Sequence, residues 1–208
     1  MKTEILPAQE PGTFVQALAV LQGGGLVAFP TDTVYGVGAL VFNGAAVGSI
    51  YTAKARPVEK AIPVLLGYQV DLAKVTLNVP DAAARLAARF WPGPLTLVVP
   101  KHPDLPDSVS ITSTVGVRVP DHAVARELLL AAGPMAVTSA NLSGQPNPST
   151  AQEVLAQLGG RIALIIDGGK TPGGVPSTVV DCTGTEPRIL RAGPILENEI
   201  RAVLRSGF

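Results

Sequence analysis

The first apolar run of the chain, LVAFP at 26–30, leads directly into hydroxyl, carboxylate and phenol side chains and then into small residues. These residues are Thr31, Asp32, Thr33, Tyr35, Gly36, Gly38 and Ala39. Polar groups can bind a ligand, and glycines beside them let the ligand or another backbone approach closely. We interpret the stretch as one wall of a binding site, although an ordinary polar turn uses the same residue types.

A second stretch, KARPVEK at 54–60, places Lys54, Arg56 and Lys60 within seven residues at a predicted helix end. Such a group of cations can bind a polyphosphate, and arginine adds a planar set of donors that matches phosphate oxygens. A solvated basic helix end is the alternative, because cations near a helix C-terminus interact favourably with its dipole.

A third stretch, VTSANLSG at 137–144, is a short apolar segment that opens into Thr138, Ser139, Asn141 and Ser143. Hydroxyl, amide and loop N–H groups can form an anion-binding concavity without a glycine-rich phosphate loop. An Asx or Ser turn would draw on the same residues.

Two isolated arginines and a serine complete the candidate site. Arg118 lies inside the strand-like VGVRVP, where an unpaired buried cation would be costly, so we expect it to meet a carboxylate or a phosphate. An internal acidic partner or an exposed sheet edge would also explain it. Arg191 follows RIL and can reach the same cleft or lie in solvent, and Ser177 begins the strand-like STVVDC.

Common nucleotide and metal motifs are absent. In DGGKT at 167–171, the first glycine of a phosphate loop would fall at Leu164. GGGLVA at 23–28 precedes a strand instead of joining a strand to a helix, so we interpret it as a helix stop. His102 and His122 lack metal-ligand spacing, and no G-x-S-x-G sequence occurs. A zinc site or a serine hydrolase triad is therefore not predicted.

Composition predicts one compact domain over residues 1–208. The chain is 47% hydrophobic and 15% charged, enough to bury one sizeable core. Sixteen basic and sixteen acidic residues give zero net charge, which argues against a long nonspecific nucleic-acid surface. Cys182 is the single cysteine, so no internal disulfide is possible and a reducing compartment is expected.

No targeting or membrane segment is predicted. The N-terminal residues lack an apolar core, and Glu4 and Glu10 argue against a transit peptide. The longest apolar run, LLLAAGPMAV, is interrupted by Gly133 and Pro134 and is much shorter than the roughly twenty residues that cross a bilayer. We expect a cytoplasmic protein without membrane contact.

Helix-like and strand-like segments interleave along the chain, which predicts an α/β fold. Helices are expected near 11–22, 44–53, 80–90, 121–131 and 195–205, and a further helix is expected to begin where Thr150 and Glu153 form a capping box. Strands are expected at LVAFP, IPVLL, LTLVVP, VGVRVP, MAVT, IALIID, STVVDC and RILR. Several neighbouring strands have no helix between them, so the sheet should be mixed.

The order of the motifs resembles a known family. FPTDTVYGVGA, KARP, WPGPLTLV, VGVRVP, TSANLSG, PSTVVD and RILRAG follow one another as in the YrdC-like threonylcarbamoyl-AMP synthases. The resemblance covers about residues 12–195 and is to the short, single-domain form. It implies a twisted mixed sheet with flanking helices around an open cleft.

The resemblance also implies an activity. L-Threonine and bicarbonate would form an N-carboxylated amino acid whose carboxylate attacks the α-phosphorus of ATP, giving threonylcarbamoyl-AMP and pyrophosphate. Partner proteins of a threonylcarbamoyl-transferase complex would then modify tRNAs that read codons beginning with A, and a weak direct tRNA contact is possible. Mg²⁺ would be held mainly by the ATP phosphates and water, because the sequence shows no acidic cluster suited to it.

Family roles can be transferred only to matching positions. The resemblance implies L-threonine contacts at Thr33, Arg118, Thr138 and Ser177. It implies ATP contacts at Lys54, Arg56, Lys60, Ser139, Asn141 and Arg191, with Lys54 and Arg56 as the catalytic triphosphate clamp. One departure is Leu65, where some members carry histidine, so no role of that histidine is transferred.

Two other classes of function stay open. A noncatalytic tRNA-binding module would show salt-dependent tRNA binding without ATP turnover, but the zero net charge and few aromatics argue against it. A related enzyme could handle a different carbamoyl-adenylate, as YrdC-like domains of hydrogenase-maturation carbamoyltransferases do. Dependence on carbamoyl phosphate would identify that enzyme.

Overall fold

A single mixed sheet of ten strands is the centre of the computed structural model, which describes residues 2–172 and 175–205. The strands are β1 (Glu4–Pro7), β2 (Val27–Phe29), β3 (Gly36–Leu40), β4 (Val64–Leu65), β5 (Leu95–Pro100), β6 (Thr114–Arg118), β7 (Met135–Ser139), β8 (Leu164–Asp167), β9 (Thr178–Asp181) and β10 (Arg188–Arg191). Their order across the sheet is β1-β8-β2-β3-β7-β4-β6-β5-β9-β10. Parallel and antiparallel pairs alternate irregularly, which confirms the predicted mixed α/β sheet.

Six α-helices flank the sheet within the described ranges. They are α1 (Thr13–Gln22), α2 (Gly44–Lys54), α3 (Asp81–Phe90), α4 (Ala123–Ala132), α5 (Ala151–Leu158) and α6 (Glu197–Arg205), and a 3₁₀ helix spans Gln69–Lys74. The side chains of Asn43 and Thr150 accept hydrogen bonds from the first turns of α2 and α5, as expected for N-cap residues. In this part of the chain no helix has the length and apolar character needed to cross a membrane.

Alternating side chains of the strands enter two hydrophobic clusters on opposite faces of the sheet. In β2, Val27 and Phe29 pack in the cluster with α1 and α4, whereas Ala28 packs in the cluster with the other helices. In β8, Leu164 and Ile165 divide in the same way. Because both faces are buried, the strands read as continuous apolar runs instead of alternating patterns.

Two strands, β1 and β3, were not predicted from the sequence. β1 pairs in parallel with β8 at the edge of the sheet. The sequence of this N-terminal segment had been interpreted only with respect to targeting signals. β3 contains Gly36, Gly38 and Ala39, which had been assigned to the binding wall alone. An added Cβ at Gly38 would lie 2.7 Å from the carbonyl oxygen of Ala136, so the glycine allows β3 to pack beside β7.

Candidate active site

A cavity of about 350 Å³ lies over the middle of the sheet, where β2, β3, β7, β4, β6, β5 and β9 meet. Most of the predicted site residues line it, namely Thr33, Arg56, Arg118, Thr138, Ser139, Ser177 and Arg191. Lys54, Lys60 and Asn141 are not among its lining residues. The structure therefore brings together side chains from six separate sequence motifs.

Strand pairing explains this convergence. β4 lies between β7 and β6, so Leu65 is paired with Met135 on one side and with Arg118 on the other. β3 pairs with β7, which sets Gly36 opposite Ser139. Residues about 100 positions apart in the sequence thus become neighbours through backbone hydrogen bonds. The first motif and the TSAN motif consequently form adjacent parts of one wall.

Arg118 is 5% exposed and is held by partners from two other segments. Its Nε donates to the carbonyl oxygen of Gly93 at 2.9 Å, its Nη1 donates to Thr33 Oγ1 at 3.2 Å, and its Nη2 forms an ion pair with Asp32. Burial lowers the pKa of Arg118, and the Asp32 carboxylate opposes that shift. The acidic partner left open by the sequence is therefore Asp32.

Arg118 lines the cavity and keeps N–H groups that these bonds do not use. A guanidinium group has five N–H groups, and three are used, so one remains on each terminal nitrogen. A carboxylate can accept two parallel hydrogen bonds from such a pair. The arrangement is suited to an anion that carries a planar carboxylate.

The first motif acts both as a turn and as a cavity wall. Thr31 Oγ1 donates to the carbonyl oxygen of Val34 at 2.7 Å and lies 3.0 Å from Thr33 Oγ1. Tyr35 is fully buried, and its hydroxyl donates to the carbonyl oxygen of Gly169 at 2.7 Å. Burial, followed by the charge of Asp167, raises the pKa of Tyr35 to about 12. Tyr35 therefore fixes the segment after β8 and does not line the cavity.

Lys54 occupies a different position from the predicted triphosphate clamp. Its side chain is 1% exposed, and its ammonium donates to the carbonyl oxygens of Ser139 and Asn141 and to Asn141 Oδ1. Three oxygens thus satisfy the three N–H groups, so the ammonium holds the 139–141 segment in place instead of entering the cavity. The sequence could not indicate this, because the acceptors lie 85 or more residues away.

The buried ammonium should make stability depend on pH. Burial, with a smaller contribution from Arg56, lowers the pKa of Lys54 from 10.5 to about 7. Between these values the unfolded chain binds a proton that the folded chain does not, so the free energy of unfolding should rise with pH. We expect Lys54→Met to remove this rise, which amounts to about 1 kcal/mol per pH unit.

Urea unfolding of the two proteins between pH 7 and pH 9 measures this difference. Lys74→Met removes an exposed lysine that pairs with Asp71 and serves as the matched control. Parallel stability curves for the wild type and Lys54→Met would contradict the assignment of Lys54 as a buried titrating group.

Arg56 lines the cavity and also fixes the segment that follows it. Its Nε donates to the carbonyl oxygen of Lys60 at 3.2 Å, and its Nη2 donates to that of Ala61 at 3.0 Å. Three of its N–H groups remain for a ligand. Lys60 is exposed and contributes its carbonyl oxygen to this turn, so the structure does not place its ammonium at the cavity.

In the TSAN segment at 138–141, some side chains line the cavity and others form hydrogen bonds within the turn. Thr138 and Ser139 belong to β7 and line the cavity. Asn141 is buried, and its Nδ2 donates to the carbonyl oxygens of Leu142 and Gln145, each at 2.8 Å. Its Oδ1 accepts from Ser139 Oγ and from the Lys54 ammonium, so Asn141 holds this segment through its side-chain amide and positions the Ser139 hydroxyl.

A cluster of three side chains lines the cavity beside Arg118, because β5 pairs with β6 and sets Leu97 opposite Val117. Thr96 Oγ1 is 2.8 Å from Ser177 Oγ, and Arg191 donates to the carbonyl oxygen of Ser177 from both Nε and Nη2. Arg191 Nη2 also donates to Ser177 Oγ at 3.1 Å. Thr96 was not predicted as a site residue, because LTLVVP reads as a plain buried strand. The one signal was a single hydroxyl within an otherwise apolar run.

Comparison with known proteins shows the family of this chain. The family described as Sua5/YciO/YrdC, telomere recombination, matches residues 19–193. A protein of Mycobacterium tuberculosis is 42% identical over 199 residues, which are 95% of this chain and 92% of that protein. The threonylcarbamoyl-AMP synthase of Bacillus subtilis is 44% identical over 205 residues, which are 97% of this chain and 59% of that protein.

Solved structures agree with the sequence comparison. Pyrococcus abyssi Sua5 complexed with L-threonine superposes with a TM-score of 0.93 at 39% identity, covering 99% of this chain and 61% of that one. The chain thus spans about 60% of the length of the B. subtilis and P. abyssi proteins. With the family match over residues 19–193 and identities above 40% along nearly all of its length, this chain belongs to the Sua5/YciO/YrdC family.

Proposed function

We propose that this protein is an L-threonylcarbamoyladenylate synthase, a nucleotidyltransferase that uses L-threonine, bicarbonate and ATP. The observation that carries the proposal is the Arg118 guanidinium, which is locked by Asp32 and Thr33 with free donors at a cavity of polar and cationic side chains. Relatives that bear the synthase name, and a relative solved with L-threonine, support this choice of substrate.

L-Threonine is assigned to the Arg118 side of the cavity. Its carboxylate would accept the two free N–H groups of Arg118. Thr33, Thr138 and Ser177 offer hydroxyls around the same space and would position the amino and hydroxyl groups. Pro63 and Leu65 add an apolar lining that suits the methyl group.

ATP is assigned to Arg56, Ser139 and Arg191, which also line the cavity. Arg56 would neutralise phosphate charge, and Ser139 with the Asn141 turn would position the nucleotide. Lys54 would act beneath the ligand by fixing the 139–141 segment, and Lys60 lies beyond the cavity lining. No covalent nucleophile is required, because phosphoryl and nucleotidyl transfer depend mainly on positioning and charge neutralisation.

The reaction has two balanced steps. The neutral amine of L-threonine adds to the carbon of bicarbonate, forming an N–C bond and releasing water, which gives an N-carboxylate. An oxygen of this N-carboxylate then attacks the α-phosphorus of ATP, and the bond to the β-phosphate oxygen breaks to release pyrophosphate. Arg56, Arg118 and Arg191 would stabilise the negative charges that these steps bring together.

Mg²⁺ is the expected metal of this reaction. The described residues that line the cavity carry hydroxyl, amide and guanidinium groups and no carboxylate. This donor set fits a Mg²⁺ ion coordinated mainly by phosphate oxygens and water. When bound with ATP, Mg²⁺ would neutralise charge on the phosphates.

The product would serve tRNA modification in the cytoplasm. A threonylcarbamoyl-transferase complex would consume threonylcarbamoyl-AMP, because the adenylate is an activated acyl donor. Any direct contact with tRNA would be weak, since the net charge is zero.

The experiment incubates the purified chain with ATP, Mg²⁺, bicarbonate and L-threonine, omits each in turn, and measures pyrophosphate release and the mass of the adenylate. We expect an adenylate that requires all of the substrates. Tight, salt-dependent tRNA binding without adenylate formation would instead identify a binding module. Dependence on carbamoyl phosphate would identify a different carbamoyl-adenylate enzyme.

A further inference from the structure

Residues 55–62 follow α2 and carry Arg56, and Tyr51 of α2 contacts both ends of this segment. The carbonyl oxygen of Tyr51 accepts a hydrogen bond from the backbone N–H of Arg56 at 2.9 Å. The Tyr51 hydroxyl lies 3.2 Å from the carbonyl oxygen of Lys60. We refer to residues 55–62 as the Arg56 loop.

The carbonyl oxygen of Lys60 joins Tyr51 to the Arg56 side chain. It accepts from the Tyr51 hydroxyl and from Arg56 Nε, each at 3.2 Å, and its two lone pairs allow both bonds. Arg56 Nη2 donates to the carbonyl oxygen of Ala61 at 3.0 Å. Two carbonyl oxygens at the end of the loop therefore set the direction of the guanidinium, and Tyr51 contacts one of them.

Tyr51 is itself fixed to the rest of the fold. It is 7% exposed and packs in the hydrophobic core. Its hydroxyl also lies 2.9 Å from the carbonyl oxygen of Ser108, in the loop between β5 and β6. Nearby, the backbone N–H of Ile62 donates to the carbonyl oxygen of Val109 at 2.9 Å. The Arg56 loop is thus attached to a second loop, and the Tyr51 hydroxyl contacts both.

The Tyr51 hydroxyl acts only as a donor. Both of its partners are carbonyl oxygens, so it shares one proton between them. Burial raises the pKa of Tyr51, and the charge of Arg56 opposes this shift, so the hydroxyl keeps its proton at neutral pH.

The Arg56 loop depends on such bonds because little of it is buried. Residues 57–61 are all exposed. An exposed segment with few packing contacts opens at a low free energy unless hydrogen bonds hold its ends. Removal of one of these bonds should therefore let the loop, and the guanidinium bonded to it, move.

We propose that Tyr51 is a positioning residue for ATP, whose hydroxyl holds the Lys60 carbonyl oxygen and through it directs the Arg56 guanidinium to the phosphates. This inference rests on the proposed function, because it takes Arg56 as a phosphate contact. Tyr51 is not among the residues that line the cavity, so it acts through Arg56. A small displacement of a charged donor is enough to weaken its contact with the reacting phosphates.

Tyr51→Phe tests this role, because it removes the hydroxyl and keeps the ring in the core. We expect the Kd for ATP with Mg²⁺ to rise roughly tenfold and kcat/KM for ATP to fall roughly tenfold, while the KM for L-threonine changes little. Isothermal titration calorimetry measures the Kd, and pyrophosphate release measures the kinetics.

A double variant separates positioning from a general structural effect. In an Arg56→Ala protein, Tyr51→Phe should have little further effect on kcat/KM for ATP, because the guanidinium through which it acts is gone. A general loss of structure would instead lower kcat/KM by the same factor in both backgrounds.

Thr13→Val is the matched control for the loss of a buried hydroxyl. Thr13 is 2% exposed, and its hydroxyl donates to the carbonyl oxygen of Pro7 at 2.8 Å, outside the cavity lining. We expect this variant to lose melting temperature much as Tyr51→Phe does and to keep wild-type ATP kinetics.

Three results would overturn the inference. They are wild-type ATP binding and kinetics in Tyr51→Phe, a full tenfold loss that persists in the Arg56→Ala background, or an equal rise in the KM for L-threonine. Adenylate formation by the wild-type chain is measured first, because its absence would reject the proposed synthase. The Kd for ATP does not depend on turnover, so it tests the role of Tyr51 in either case.

Discussion

Arg118→Ala is expected to raise the KM for L-threonine by about 100-fold or more, with a much smaller effect on the KM for ATP. The substitution removes the two donors assigned to the amino-acid carboxylate. It also leaves Asp32 buried without its cation, since the Asp32 side chain is 13% exposed. The loss of one partner of such a pair should lower the free energy of unfolding by about 3 kcal/mol.

A double variant separates binding from stability at this position. Asp32→Asn combined with Arg118→Gln replaces the ion pair with two neutral amides, so much of the stability should return. L-Threonine binding should stay weak, because the cationic donors are still missing. Recovery of a normal L-threonine KM together with the stability would show that Arg118 acts only through folding. Arg188→Ala breaks an exposed pair with Asp181 and should cost less than about 1 kcal/mol.

Arg56→Ala is expected to lower kcat/KM for ATP by about 100-fold, while the KM for L-threonine changes little. The reason is that Arg56 has three unpaired N–H groups at the cavity, and phosphates accept such bonds strongly. Arg56→Lys keeps the charge but loses the planar donors, so it should recover only part of the activity. Steady-state kinetics with ATP as the varied substrate measure both effects.

The comparison for Arg56 is an arginine on the exposed surface of the chain, remote from the cavity. Arg201→Ala removes a surface ion pair with Glu197 on α6 and should leave ATP use unchanged. Wild-type ATP kinetics in Arg56→Ala would remove Arg56 from the triphosphate site.

The sequence by itself determined the fold class and the central part of the site. Interleaved apolar runs and helical segments predicted the mixed α/β sheet, because the spacing of apolar residues within each short segment distinguishes a helix from a strand. The ordered motifs indicated Thr33, Arg56 and Arg118, and the structure brings all three to one cavity. An arginine inside a strand is a strong signal, since burial without a partner is too costly to occur by chance.

Tertiary structure alone decided which groups these residues meet. Asp32 is 86 residues from Arg118, and Thr96 is 81 residues from Ser177, yet each pair is in hydrogen-bond contact. The Lys54 ammonium likewise donates to the carbonyl oxygens of Ser139 and Asn141, so it lies beneath the site instead of inside it. Such partners follow from strand order across the sheet. Local patterns do not encode that order, because a strand forms similar backbone hydrogen bonds with any neighbour of suitable register.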